Sequence, residues 1–95
     1  MAVYIALTIL NEEGRKAVRD NPGVVKEHNR LLEAAGVKVL AQYATLGQYD
    51  FVNIFEAPND SAIYRVAVKY GGKGVHQTIT LAAKTLDDFI AATSK

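Results

Sequence analysis

The sequence predicts a small α+β fold with elements in the order β-α-β-β-α-β-α, four strands forming one antiparallel sheet with helices on one face. Three observations carry this. Short apolar runs with β-branched residues alternate with stretches of helical period. Helix-starting residues follow the first, third and fourth of those runs. Glycines stand where the first helix must close and where the middle two strands must turn.

Val3 to Leu10 is strongly apolar and ends at polar Asn11, which predicts a central strand. Asn11 is a good N-cap, and Glu12 and Glu13 suit the positive end of a helix. That helix falters at Asp20-Asn21-Pro22-Gly23, where Asn21 can cap a second start with Pro22 at its first helical position. Beyond it Val24, Val25, His28, Leu31, Leu32 and Ala35 share one helical face, and Gly36 closes the helix in a left-handed conformation. Val37 to Leu46 and Tyr49 to Ala57 form the next two strands, joined at Gly47-Gln48 by a two-residue turn of type II′ pattern. Pro58-Asn59-Asp60 ends the third strand and opens a helix over Ser61 to Tyr70, with Ile63, Val66, Ala67 and Tyr70 inward. Gly71-Gly72-Lys73-Gly74 ends that helix, and Val75 to Ala83 is the fourth strand. Thr85 and Asp88 resemble a capping box that starts a short last helix through Phe89 and Ile90.

Ninety-five residues fit a single domain, residues 1–95. Eleven basic against ten acidic side chains give a net charge of +1, which speaks against nucleic acid or an acidic membrane surface as partner. With no cysteine, the chain has no disulfides, thiolate metal sites or thiol nucleophiles. No apolar run approaches a membrane span and no signal-type N-terminus is present, so a cytoplasmic location is expected.

Alternation along the strands divides the sheet into two faces. Counting out from the predicted turn, one face carries Leu40, Gln42, Ala44 and Leu46 with Tyr49, Phe51, Asn53 and Phe55. Tyr4, Ala6, Thr8 and Leu10 join it, as do His76, Thr78, Thr80 and Ala82. The opposite face carries Val3, Ile5, Leu7 and Ile9 with Val52, Ile54, Ile79 and Leu81. Being the more uniformly apolar, that second set is expected under the helices, which leaves the aromatic set open. An open face holding Tyr4, Phe51 and Phe55 is too apolar for a monomer, and a homodimer or larger assembly packed sheet on sheet is expected.

The run Thr45-Leu46-Gly47-Gln48-Tyr49-Asp50-Phe51-Val52, followed by Glu56-Ala57-Pro58-Asn59-Asp60, resembles the signature of the GYD domain family. Here the motif reads Gly47, Tyr49 and Asp50, with one residue inserted after the glycine. The similarity extends from the first strand to Leu86-Asp87-Asp88-Phe89. It implies a ferredoxin-like βαββαβ domain of the dimeric α/β barrel type, in which two sheets face each other. A similar turn marks the effector-binding domain of leucine-responsive transcription regulators, whose N-terminal helix-turn-helix this chain lacks. Related barrels include muconolactone isomerases and haem-degrading monooxygenases. The latter rely on a cavity tryptophan, and this chain has none.

Asp50 is the motif's carboxylate, placed at the sheet end where the first helix begins. Its expected role is structural, capping the backbone near Asn11–Glu13 or pairing with Arg15. Gly47 has a conformational explanation as the turn glycine. His76 is the only histidine placed on the open face, where Tyr4, Gln42, Tyr49, Asn53, Thr78 and Thr80 can line a pocket with it. An imidazole there can act as acid, base or hydrogen-bonding group, and is the one candidate catalytic residue. Gln42 and Asn53 are cross-strand neighbours whose amides need each other or a polar ligand. His28 lies on the apolar side of the first helical region as a boundary histidine. Neither a metal site nor a cofactor is expected.

These residues fit a small-molecule-binding or sensing module, with its ligand held between the open sheet face and a partner copy. An isomerase- or monooxygenase-like enzyme using His76 in the same cavity, and an oligomeric scaffold with no ligand, are the alternatives.

Overall fold

The computed structural model describes residues 2–71 and 76–94. Its elements are β1 (Ala2–Leu10), α1 (Glu12–Asp20), α2 (Val24–Ala34), β2 (Lys38–Ala44), β3 (Phe51–Ala57), α3 (Asp60–Gly71), β4 (His76–Ala83) and α4 (Leu86–Thr93). The strands form one sheet in the order β2-β3-β1-β4, with every neighbouring pair antiparallel. This is the ferredoxin-like α+β arrangement that the element order predicts. Residues 72–75, expected to end α3 and begin the last strand, lie outside the described residues.

Local chemistry sets most of the boundaries. Asn11 caps α1, its Oδ1 accepting from the Gly14 N–H at 2.8 Å. The chain breaks between α1 and α2 at Asn21-Pro22-Gly23, where the Val24 N–H returns to the Asn21 carbonyl. Gly36 ends α2 at φ +87°, a backbone region that side chains with a Cβ rarely occupy. Asn59 accepts from the Ala62 N–H at 3.1 Å and starts α3, and Thr85 accepts from the Asp88 N–H at 3.1 Å and starts α4.

Two features of the β2–β3 hairpin differ from expectation. Regular pairing ends at Ala44 opposite Phe51, so the connection is longer than the two residues predicted. The Thr45 hydroxyl donates to the Tyr49 carbonyl at 2.5 Å and the Thr45 N–H to the Asp50 carbonyl at 2.9 Å, closing a loop around Gly47 at φ +114°. The second difference is a bulge. Val39 pairs with Phe55 and Ala41 with Ile54, which leaves Leu40 out of register and exposed instead of beside Gln42. Beyond the bulge the predicted pairing of Gln42 with Asn53 is present.

The larger correction concerns the faces. The buried cluster is Tyr4, Ala6, Val37, Phe55, Ala57 and Ala62, with Leu32 of α2 and Ile63 and Val66 of α3 packed against it. The helices therefore cover the face that carries Tyr4, Ala6, Asn53 and Phe55. The set expected beneath them lies on the opposite face. Ile5 stands between Ile54 and Leu81 there, and Leu7 between Val52 and Ile79. Ile79 and Leu81 remain 47% and 45% exposed. Assigning the most apolar set to the helices assumes that helices are its only available cover. The helices instead carry polar groups that match the other face: Asp60 meets the Tyr4 hydroxyl, and Asn29 meets Gln42.

Candidate functional site

Above the covered face, the helices and sheet border a half-open cavity of about 790 Å³. Its floor is built from alternate residues of neighbouring strands, including Ala6, Thr8, Phe51, Asn53, Phe55 and Gln42. Ala17 and Val18 of α1, Val24, Val25 and Leu32 of α2 and Val66 of α3 form apolar walls. Mostly apolar lining with a few fixed polar groups is the usual composition of a small-molecule pocket.

The polar groups are concentrated in one network. Asn29 and Gln42 exchange two hydrogen bonds, Asn29 Nδ2 to Gln42 Oε1 at 2.7 Å and Gln42 Nε2 to Asn29 Oδ1 at 2.9 Å. Gln42 Nε2 also donates to Asn53 Oδ1 at 3.0 Å. These bonds tie α2 to β2 and β3, and each locks the orientation of the next amide. Thr8 and Thr78 stand on neighbouring strands with their hydroxyls 3.3 Å apart, and both line the cavity. His28, half-buried on α2, lines it as well. Among the described residues, no group of three or more His, Cys, Asp or Glu is placed to hold a metal ion.

The expected site residues separate accordingly. Gln42 and Asn53 come together on the face that the helices cover and not on the open face, while Thr78 lines the same cavity from β4 as an exposed residue. Tyr4 is buried on the same face but lines no part of the cavity, its hydroxyl donating to the Asp60 carboxylate. That bond, then burial, then the Asp60 charge and Tyr64 push the Tyr4 phenol above its ordinary range. Tyr49 lies in the β2–β3 loop, where its carbonyl serves the turn. His76 begins β4 with its backbone paired to Leu10, and its side chain lies outside what is described. Asn29 was not among the predicted site residues. Its signal was available in the sequence as a polar amide one residue after His28, beside the apolar positions of the helix.

Asp50 takes a structural position with partners other than those expected. Its Oδ2 accepts from the Leu10 N–H at 2.8 Å, and its own N–H donates to the Thr8 carbonyl at 2.8 Å. Arg15 donates to the Leu10 carbonyl at 2.8 Å rather than to Asp50. The motif carboxylate and Arg15 thus hold the two polar groups of one residue at the β1–α1 junction.

Together these features define a small ferredoxin-like α+β domain with a cavity under its helices and an apolar sheet face on its other side. The chain belongs to the GYD domain family, which it matches over residues 4–93. A Thermus thermophilus protein named glutamine synthetase and cystathionine beta-lyase binding protein is 40% identical over 92 residues, covering 96% of this chain and 97% of that one. The crystal structure of FFRP-DM1 is similar with a TM-score of 0.58, at 20% identity over 88% of this chain and 100% of that chain. MtbAldR is similar with a TM-score of 0.60, at 14% identity over 90% of this chain and 54% of that longer chain. These two structural likenesses bear on the fold. No helix among the described residues is long and apolar enough to cross a membrane.

Proposed function

We propose that this chain is a homo-oligomeric binding module that docks on metabolic enzymes, with glutamine synthetase and cystathionine beta-lyase as the first candidates. The observation that carries this reading is the 40% identity, over nearly the full length of both chains, to a protein named for binding those two enzymes. Geometry supports a division of surfaces. The Ile5, Leu7, Ile79 and Leu81 face suits a second copy, because a sheet so apolar is poorly tolerated in water. With that face occupied, an enzyme must meet the outer surface, where Tyr64 and Val68 of α3 stand one helical turn apart and 69% and 83% exposed.

Surface plasmon resonance tests the reading, with the chain immobilised and purified glutamine synthetase or cystathionine beta-lyase from the same organism in solution. Saturable binding of at least one enzyme is expected, weakened by Tyr64→Ala combined with Val68→Ser. Absence of binding to both enzymes at high micromolar concentration contradicts it.

A second reading, that the module also holds a small molecule, is supported by the cavity beneath the helices. It moves the ligand from the sheet–sheet interface to the space between helices and sheet of one protomer, and it is compatible with enzyme docking.

A further inference from the structure

Resting on that second reading, we propose that the cavity binds a neutral, largely apolar molecule that presents a carbonyl or similar hydrogen-bond acceptor to Asn53, and that it discriminates against anions and zwitterions. Three observations support this. First, the described residues lining the cavity include no Asp, Glu, Lys or Arg. A carboxylate, phosphate or ammonium group packed against its apolar walls would shed part of its hydration without a permanently charged partner, which is unfavourable. Second, apart from the His28 imidazole the polar groups are amides and hydroxyls, whose dipoles reward a neutral polar group. Third, the amide network is incomplete in one direction. Gln42 uses both ends of its amide, bonding Asn29 twice and Asn53 once. Asn53 accepts through Oδ1, while its Nδ2 makes no hydrogen bond with the described residues. Because Gln42 fixes the orientation of that amide, the cavity carries an oriented N–H donor set among Phe51, Phe55 and Ala6.

The amides and apolar walls have separable tasks. Val24, Val25, Leu32 and Val66 select the hydrocarbon body. Asn53, held by Gln42 and indirectly by Asn29, selects the acceptor at one end. Loss of the network removes discrimination before it removes binding, since apolar burial is independent of it.

Three naphthalene derivatives that differ only in the polar end separate these contributions: 2-acetonaphthone, naphthalene and 2-naphthoate. Each is titrated against the full chain by displacement of the neutral fluorophore N-phenyl-1-naphthylamine. The acetyl compound is expected to bind roughly three- to tenfold more tightly than naphthalene, the gain of one neutral hydrogen bond. It should outcompete naphthoate by at least about tenfold, since the anion must shed its hydration. Asn53→Leu should abolish the preference for acetonaphthone over naphthalene while leaving naphthalene bound. In the unmodified protein, the acetyl methyl and ring protons should show NOEs to Val24, Val25 and Leu32 methyls, which keeps the test valid if Asn53→Leu fails to fold. Tighter binding of naphthoate overturns the ligand class alone. Failure of all three to bind, or NOEs to Ile5, Leu7 or Leu81 in place of the cavity methyls, overturns the cavity reading itself.

Discussion

Replacing Asp50 by alanine isolates the structural role of the motif carboxylate. In the folded chain Oδ2 lies 2.8 Å from the Leu10 N–H, and Asp50 is half-buried. A hydrogen bond to a charged acceptor contributes ~1.5–3 kcal/mol, and partial solvent access takes this site to the low end, about 1–2 kcal/mol. For a domain of this size each kcal/mol moves the midpoint by about 4–8 °C, so Asp50→Ala should melt roughly 5–15 °C lower. Asp50→Asn retains an oxygen in place and should lose about half as much, because a neutral acceptor is weaker. The acceptor contacts a backbone N–H and not Arg15, so added salt should leave most of the difference intact. Thermal unfolding followed by circular dichroism, with and without added sodium chloride, measures all three effects. A melting temperature for Asp50→Ala within about 1 °C of the parent would rule out a stabilising role for this carboxylate.

Other positions give independent tests. The Tyr4 phenol, raised by its bond to Asp60, should ionise later than an exposed tyrosine in a spectrophotometric titration. A raised folded value means its contribution to stability is complete below the ordinary tyrosine pKa of about 10 and is lost as pH climbs through the folded value, a loss that Tyr4→Phe should remove. Ala62 is fully buried against the sheet, and Ala62→Leu should cost ~1–3 kcal/mol of stability by overpacking, read as a lower urea midpoint. Thr85→Ala removes the cap of α4, worth ~1 kcal/mol, and should speed amide exchange across residues 86–90 about fivefold while leaving the sheet unaffected.

Much of the fold was legible because its signals are local. Asn11, Gly36, Asn59 and Thr85 each act within a few residues, and each stands at the expected boundary. Alternation also placed Gln42 opposite Asn53 and grouped Tyr4 with Phe55. It could not decide which group the helices cover, since a period of two has no sign. That choice depended on tertiary matches, Tyr4 with Asp60 and Gln42 with Asn29, whose partners are 56 and 13 residues apart. The bulge at Leu40 escaped for a related reason. Lys38-Val39-Leu40-Ala41 alternates poorly, and nothing within it marks the residue that drops out of register. The cavity inherits both features. Its residue types were recognised as a pocket, but their location followed the wrong face.

The assignment of sheet faces is open to a direct test. Sedimentation velocity of the unmodified chain and of Leu7→Lys at micromolar concentration tests it, because Leu7 stands between Val52 and Ile79 on the open face and lines no part of the cavity. An assembly of at least two copies is expected for the parent and a folded monomer for the variant, with helical content unchanged by circular dichroism. A parent chain that sediments as a monomer, or a Leu7→Lys chain that assembles as the parent does, would overturn the assignment of the Ile5 and Leu7 face to a second copy.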